Sequence, residues 1–196
     1  MEGADRARPP VPEIDGKVVF TGPRRSGKTE LLRAIHARLD PATRGALLTP
    51  SEDDGSTVFF DLTTVELGTI HGRPLRVQLL TAPGDPEQSL LRRTVLRGAD
   101  AVVFVADSDP ARLDANRAAL SALEADLSAM TPVGAPPVPV FLLYGKRDLP
   151  RALAREELER TLNPGGLPAF ECSAARGDGL LEPLAAAAER LVRALA

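Results

Sequence analysis

Apolar residues along the chain follow two patterns that alternate from one end to the other. Short, nearly continuous apolar runs predict strands covered on both faces of a sheet, and apolar residues three or four apart predict helices. The predicted strands are residues 17–21, 58–62, 75–81, 101–105, 138–144 and 169–172. The predicted helices are residues 29–39, a stretch with Asn116, Leu120, Leu123 and Leu127 on one face, and a C-terminal stretch through Leu181, Leu184, Ala188, Leu191 and Leu195.

This alternation predicts an α/β fold of the doubly wound type, with a mostly parallel six-stranded sheet and helices on both faces. His71 and Gly72 separate two predicted strands, so that pair is expected to form an antiparallel hairpin. In open sheets of this kind, ligands bind at the carboxyl ends of the strands.

The ends of the domain are set by composition. Residues 1–15 are charged and rich in proline, which predicts a flexible tail before a single domain spanning residues 16–196. Proline and glycine predict a loop over residues 130–137.

Composition narrows the classes of function. A net charge of −3 gives no electrostatic case for binding nucleic acid. Cys172 is the only cysteine, which fits a reducing compartment. No apolar run is long enough to cross a bilayer, and neither end carries a lipidation signal. We therefore expect a cytoplasmic protein with no direct membrane anchor.

Residues 22–29 carry the clearest chemistry, because GPRRSGKT matches the phosphate-loop pattern G-x-x-x-x-G-K-[ST] in full. The match follows a predicted strand and opens a predicted helix, so unpaired backbone N–H groups form a nest for phosphate. Lys28 is expected to reach the β- and γ-phosphates and the Thr29 hydroxyl to bind Mg²⁺. The candidate nucleotide-binding residues here are Gly22, Arg25, Ser26, Gly27, Lys28 and Thr29.

The base is indicated by residues after the fifth predicted strand. The Asp148 carboxylate could accept two hydrogen bonds from the N–H groups on the edge of guanine, which adenine does not offer. The stem of Lys146 could cover the base, and the backbone N–H groups of Ser173 and Ala174 could reach guanine O6. Alternatively, Asp148 could simply begin the next helix, since Pro150 follows it.

Several further segments together resemble the MglA family, the bacterial Ras-like small GTPases that control cell polarity and motility. Residues 57–61, TVFFD, look like that family's first switch segment and the strand after it. Residues 81–84, TAPG, look like its third motif, with threonine in place of the usual aspartate. Residues 103–108 and 146–150 also match, and the resemblance runs from about residue 16 to 193.

The resemblance implies a GTP/GDP switch that uses Mg²⁺. It implies that Thr57 contacts Mg²⁺ and the γ-phosphate, and that the backbone N–H of Gly84 senses the γ-phosphate. It also implies effector proteins that contact residues 45–95 and a Roadblock-type dimer as regulator.

Four positions depart from the family's pattern. Ser56 stands where the family has an arginine finger, and Asp85 stands where it has the glutamine that orients the attacking water. Arg24 replaces a glycine at the closest approach to the γ-phosphate. These three changes predict slow or partner-dependent hydrolysis. Gly145 replaces an asparagine that ties the base-reading segment to the phosphate loop, which predicts weaker nucleotide binding.

Other readings stay open at this point. Arg24 or Arg25 could act as a replacement finger, or both could point to solvent, and Asp85 could act on water if its pKa were raised. The four departures would also fit a degenerate, non-hydrolysing scaffold. An ATP-using enzyme is a third alternative, but no adenine-side motif or second-substrate domain is evident.

Overall fold

The computed structural model describes residues 13–49 and 60–195. Six strands alternate with five α-helices along the chain. The strands are β1 (Ile14–Thr21), β2 (Leu62–Ile70), β3 (Arg73–Thr81), β4 (Ala101–Asp107), β5 (Val140–Gly145) and β6 (Ala169–Glu171). The helices are α1 (Lys28–Arg38), α2 (Ser89–Leu96), α3 (Leu113–Met130), α4 (Arg155–Leu162) and α5 (Glu182–Leu195).

The strands form a single sheet in the order β2-β3-β1-β4-β5-β6, and every neighbouring pair is parallel except β2 with β3. His71 and Gly72 both have positive φ, at 49° and 77°, which matches the turn that joins the strands of a tight hairpin. The predicted α/β fold with a mostly parallel six-stranded sheet is confirmed.

The hydrophobic core is divided between the two faces of this sheet. Helices α1 and α5 cover one face, where Phe20 packs with Leu31 and Leu184. Helices α2, α3 and α4 cover the other, where Phe104 packs with Leu123. Strands β4 and β5 and the second half of β1 are covered on both faces, so residues 18–20, 101–106 and 140–144 are continuously apolar instead of alternating.

Several predicted boundaries were wrong. Strand β1 begins at Ile14, so the last two residues of the predicted tail belong to the sheet. The predicted strand 58–62 lies partly outside the described residues, and its described part precedes β2 except for Leu62. The C-terminal helix begins at Glu182, one residue after Leu181. Helices α2 and α4 were not predicted.

The outer side of β2 is occupied by residues 43–48, named here the edge segment. Leu48 and Leu62 exchange backbone hydrogen bonds of 2.8 and 2.9 Å, and the Gly45 N–H donates to the Thr64 carbonyl at 2.8 Å. The His36 ring of α1 lies against the segment, with Nε2 at 2.9 Å from the Gly45 carbonyl oxygen. The edge segment therefore continues the sheet past β2, although it forms no regular strand.

Candidate functional site

The phosphate loop, residues 22–29, joins β1 to α1 at the carboxyl edge of the sheet. Gly22 has φ of 148°, and a β-carbon there would lie 2.2 Å from the Val105 carbonyl oxygen, so no other residue fits. Gly27, with φ of 95°, turns the chain directly into α1. The sequence motif thus has the strand–loop–helix setting that a phosphate nest requires.

Lys28 points into the concave side of this loop. Its Nζ donates to the carbonyl oxygens of Gly22 at 2.8 Å and Pro23 at 3.0 Å. Burial lowers the pKa of Lys28 to about 8, although the carboxylates of Asp85 and Asp61 oppose the shift. A charged phosphate at this place would supply the counter-charge that the buried ammonium group needs.

Thr29 and Thr81 both donate to one buried carboxylate, that of Asp61. The hydroxyl of Thr29 lies 2.7 Å from Asp61 Oδ2, and the hydroxyl of Thr81 lies 2.9 Å from the same oxygen. The other oxygen, Oδ1, is buried without a hydrogen-bond partner in the part of the chain that the structure describes. A hydroxyl beside an unsatisfied carboxylate oxygen is a donor set that suits a hard cation such as Mg²⁺.

Asp61 was missed in the sequence analysis. The sequence did contain a signal. Thr81 replaces the aspartate that is usual in the third motif, so another carboxylate is expected nearby to take its place. Thr57, the other predicted Mg²⁺ residue, lies outside the described residues, as does Ser56.

Gly84 lies against the phosphate loop on the side where a γ-phosphate is expected. A β-carbon on Gly84 would lie 2.0 Å from the Gly22 carbonyl oxygen, so the two backbones are in direct contact. Arg24, Arg25 and Asp85 line a cavity of about 340 Å³ next to this contact, together with Lys28, Pro83, Gly84 and Gln88. Both arginine side chains are exposed.

The base side of the site lies at the carboxyl end of β5. Ser173 donates its hydroxyl to the Asp148 carboxylate at 2.6 Å, and this bond holds the pKa of Asp148 below its ordinary value. Asp148 and Ala174 line a cavity of about 190 Å³ whose wall also includes Gly27, Gly145 and Cys172. Helix α4 begins only at Arg155, so the alternative that Asp148 begins the next helix is wrong.

Lys146 connects the base side to the phosphate loop. Its Nζ donates to the Arg25 carbonyl oxygen at 2.8 Å and lies 2.7 Å from Oδ2 of Asp107, the last residue of β4. Asp107 was not predicted as a site residue. The structure therefore brings the predicted residues of both loops together along one edge of the sheet, and their roles toward a nucleotide stay predictions. One prediction is wrong: the Ser173 N–H donates to the Asp178 carbonyl oxygen at 3.0 Å, so it is not available to guanine O6.

Comparisons with known proteins identify relatives of this chain. The mutual gliding-motility protein MglA of Myxococcus xanthus (strain DK1622) is 36% identical over 183 residues, which are 93% of this chain and 93% of that protein. Among solved structures, the Arl6/BBS3 small GTPase of Trypanosoma brucei with the bound nucleotide analogue GppNp matches with a TM-score of 0.65. That match has 24% identity and covers 91% of this chain and 98% of the other. No family model matches the sequence.

The second match shows the fold, and the first extends over almost the whole of both chains. Within the described residues, no helix is long and apolar enough to cross a membrane. The phosphate loop, the neighbouring Gly84 and the base-side Asp148 lie along the same edge of the sheet. The chain belongs to the MglA family of Ras-like small GTPases.

Proposed function

We propose that this protein is a guanine-nucleotide switch whose GTP- and GDP-bound forms bind different partners. The observation that carries the proposal is the position of the Asp148 carboxylate, fixed by Ser173 beside the cavity that adjoins the phosphate loop. A carboxylate there accepts from the two N–H groups of guanine, whereas adenine would leave it unpaired.

Mg²⁺ is part of this proposal because the residues fit the ion. The Thr29 hydroxyl and the Asp61 carboxylate would hold it, with Thr57 as a third group by resemblance. The Oδ1 of Asp61, which is buried and has no hydrogen-bond partner among the described residues, supports this assignment. The bound ion would offset the negative charge of the β- and γ-phosphates, and Lys28 would add a second positive charge.

Hydrolysis by the protein alone is proposed to be slow. Asp85 brings a negative charge to the cavity beside Gly84, where the family pattern has a neutral glutamine. Ser56 carries no charge that could replace an arginine finger. Arg24 and Arg25 are exposed and would need to turn inward to serve as one. An arginine finger accelerates hydrolysis by roughly 10³–10⁵-fold, so its absence has the largest effect on the rate of hydrolysis.

Output is proposed to pass through proteins that contact the nucleotide-sensing side. Leu90 on α2 is 83% exposed and Leu48 in the edge segment is 51% exposed, and both lie within residues 45–95. Exposed leucines at this side would suit an effector or a Roadblock-type regulator dimer. The relative named for gliding motility supports a role in bacterial cell polarity or motility, in the cytoplasm.

A second candidate is a non-hydrolysing scaffold. The position of Asp85 beside Lys28 favours it. The Asp85 carboxylate already offsets the positive charge of Lys28, which would otherwise be offset by a γ-phosphate. In this case the protein would bind its partners in one state, whichever nucleotide is present.

The test is a titration of nucleotide-stripped protein with fluorescent GDP and with a non-hydrolysable GTP analogue, with Mg²⁺ or EDTA and with ATP as competitor. A switch binds both guanine nucleotides in an ATP-resistant, Mg²⁺-dependent way. The matched variant is Asp148→Asn, whose amide should weaken guanine binding and favour xanthine, which carries a carbonyl where guanine has its amino group. Displacement of GDP by ATP would exclude the guanine assignment.

Hydrolysis separates the two candidates. Phosphate release under multiple turnover should be slow for the native protein and faster for the double variant Ser56→Arg/Asp85→Gln. If the native protein and the double variant both release phosphate no faster than GTP alone, the scaffold is supported.

A further inference from the structure

Two positively charged side chains, Lys146 and Arg112, donate hydrogen bonds to the phosphate loop, and both lie beside the buried carboxylate of Asp107. Asp107 is 2% exposed at its side chain, and its Oδ2 lies 2.7 Å from Lys146 Nζ and 3.9 Å from Arg112 Nε. Lys146 donates to the Arg25 carbonyl oxygen at 2.8 Å, and Arg112 donates to the Arg24 carbonyl oxygen at 2.5 Å. The three side chains therefore fix two successive carbonyls of the loop.

These carbonyls lie where the loop is strained. Arg25 has φ of 64°, a left-handed conformation that is unfavourable for a residue with a side chain. In a trans peptide the carbonyl and the following N–H point in opposite directions. Because Arg112 holds the Arg24 carbonyl, the N–H of Arg25 is directed away from Arg112, on the opposite side of the peptide.

Asp107 is itself firmly positioned. Asn116 of α3 accepts from the Asp107 backbone N–H at 2.9 Å and donates to its carbonyl oxygen at 2.8 Å. The second carboxylate oxygen, Oδ1, accepts from the Asp109 N–H at 3.0 Å. A carboxylate with so little freedom can hold the two cations at low entropic cost.

Gly145 leaves the phosphate loop without a side-chain contact from residue 145. A β-carbon at Gly145 would lie 3.8 Å from the Ser26 carbonyl oxygen and 3.3 Å from the Ala106 carbonyl oxygen, so a side chain could tie the two loops together there after a small shift of the backbone. Glycine supplies none, and the buried Ser26 hydroxyl has no hydrogen-bond partner among the described residues. The connection between the loops runs instead through Lys146 and Asp107.

We propose that Asp107, Arg112 and Lys146, named here the loop clamp, set the lifetime of the bound nucleotide in place of the missing tie at Gly145. Asp107 contacts Lys146, and Arg112 contacts a carbonyl of the phosphate loop, so both act as positioning residues. The inference rests on the proposed nucleotide binding.

The test measures the dissociation rate of fluorescent GDP from the full chain, with Mg²⁺ and excess unlabelled GDP. Asp107→Asn and Arg112→Gln should each release GDP about tenfold faster or more, because each removes a charge-assisted hydrogen bond. The matched control is Asp114→Asn, which makes the same change at a side chain that is 96% exposed. This variant should release GDP at the native rate.

Rescue distinguishes a positioning role from simple destabilisation. Adding Gly145→Asn to Asp107→Asn should return the release rate toward the native value, because the asparagine supplies the missing tie. Rates within about twofold of the native protein in both single variants would overturn the clamp. Faster release without rescue by Gly145→Asn would overturn its role as a replacement for the tie.

Amide hydrogen exchange in nucleotide-free protein separates failure of the clamp from failure of nucleotide binding. The amides of residues 24–27 should exchange faster in both single variants than in the native protein, and Asp114→Asn should not differ. If the native protein binds no guanine nucleotide, the proposed function fails while this measurement still decides the clamp. Unchanged exchange in both variants would contradict it.

Discussion

Arg92 of α2 and Asp126 of α3 form an ion pair in the protein interior. Arg92 Nη2 lies 2.6 Å from Asp126 Oδ2, and the two side chains are 1% and 3% exposed. Arg92 Nη1 also donates to the Asp85 carbonyl oxygen at 2.8 Å. Arg92 therefore links the segment that carries Gly84 and Asp85 to α3. A movement of this segment away from α3 during a nucleotide cycle would break these bonds.

The first prediction concerns this pair. Arg92→Met should lower the free energy of unfolding by about 3–5 kcal/mol, because it leaves the buried Asp126 carboxylate with fewer partners. Arg93→Met is the matched control, since Arg93 pairs with the same carboxylate but is 43% exposed. Its cost should be below about 1 kcal/mol. Urea unfolding of the nucleotide-free protein measures both, and equal losses would contradict the special role of Arg92.

The second prediction is a pH dependence of guanine binding. The hydrogen bond from Ser173 keeps the pKa of Asp148 low, so Ser173→Ala should raise it. Binding requires the ionised carboxylate and is lost as the pH falls through its pKa. Loss of GDP affinity in Ser173→Ala should therefore begin at a higher pH than in the native protein.

The same shift affects folding. A lowered carboxyl pKa contributes stability above the pKa of the unfolded chain, and this contribution is lost as the pH falls through the folded pKa. Circular dichroism at each pH therefore has to show that the protein stays folded while GDP affinity is measured. The control variant for GDP affinity is Ser121→Ala, on the exposed side of α3. If Ser173→Ala and the native protein lose GDP affinity at the same pH, Ser173 does not set the pKa of Asp148.

The third prediction concerns Gly84. Alanine there would place a β-carbon 2.0 Å from the Gly22 carbonyl oxygen, so the segment must move away from the phosphate loop. Affinity for a non-hydrolysable GTP analogue should fall roughly 10- to 100-fold, the worth of one hydrogen bond to a charged group, and GDP affinity should fall less. Gly165→Ala is the control because open space surrounds Gly165. Equal losses for both nucleotides would argue against γ-phosphate sensing.

The fourth prediction tests the Mg²⁺ assignment. Asp61→Asn keeps the shape of the side chain but removes the charge beside Thr29. The Mg²⁺ concentration for half-maximal nucleotide binding should rise by about tenfold or more. Glu66→Gln, at an exposed position on β2, should leave it unchanged. An unaltered Mg²⁺ requirement in Asp61→Asn would remove Asp61 from the site.

Elements with a continuous or periodic apolar pattern were predictable from the sequence, and others were not. Strands β4 and β5 and the second half of β1 are buried on both faces, so their apolar runs identify them in the sequence. Helix α2 was missed because Arg92, a charged residue, occupies a core position and breaks the pattern. Helix α4 was missed because Leu158 and Leu162 are its only buried residues, too few for a recognisable face.

The site shows the same division. The phosphate loop is contiguous in sequence, and its spacing alone indicates phosphate chemistry. Asp61 and Asp107 acquire their meaning only from Thr29 and Lys146, which lie 32 and 39 residues away along the chain. For Asp107 the sequence gives no sign of such a partner, and for Asp61 the one sign is the threonine at position 81.

The edge segment has a consequence for the behaviour of the protein at high concentration. An open strand at the border of a sheet is a template on which other chains can add and aggregate. Residues 43–48 already bind the backbone groups of Leu62, Thr64 and Glu66 on the outer side of β2, and β6 at the opposite border is only three residues long. Within the described chain, the sheet thus offers no long border for edge-to-edge stacking, and a partner that adds a strand to β2 must first displace residues 43–48.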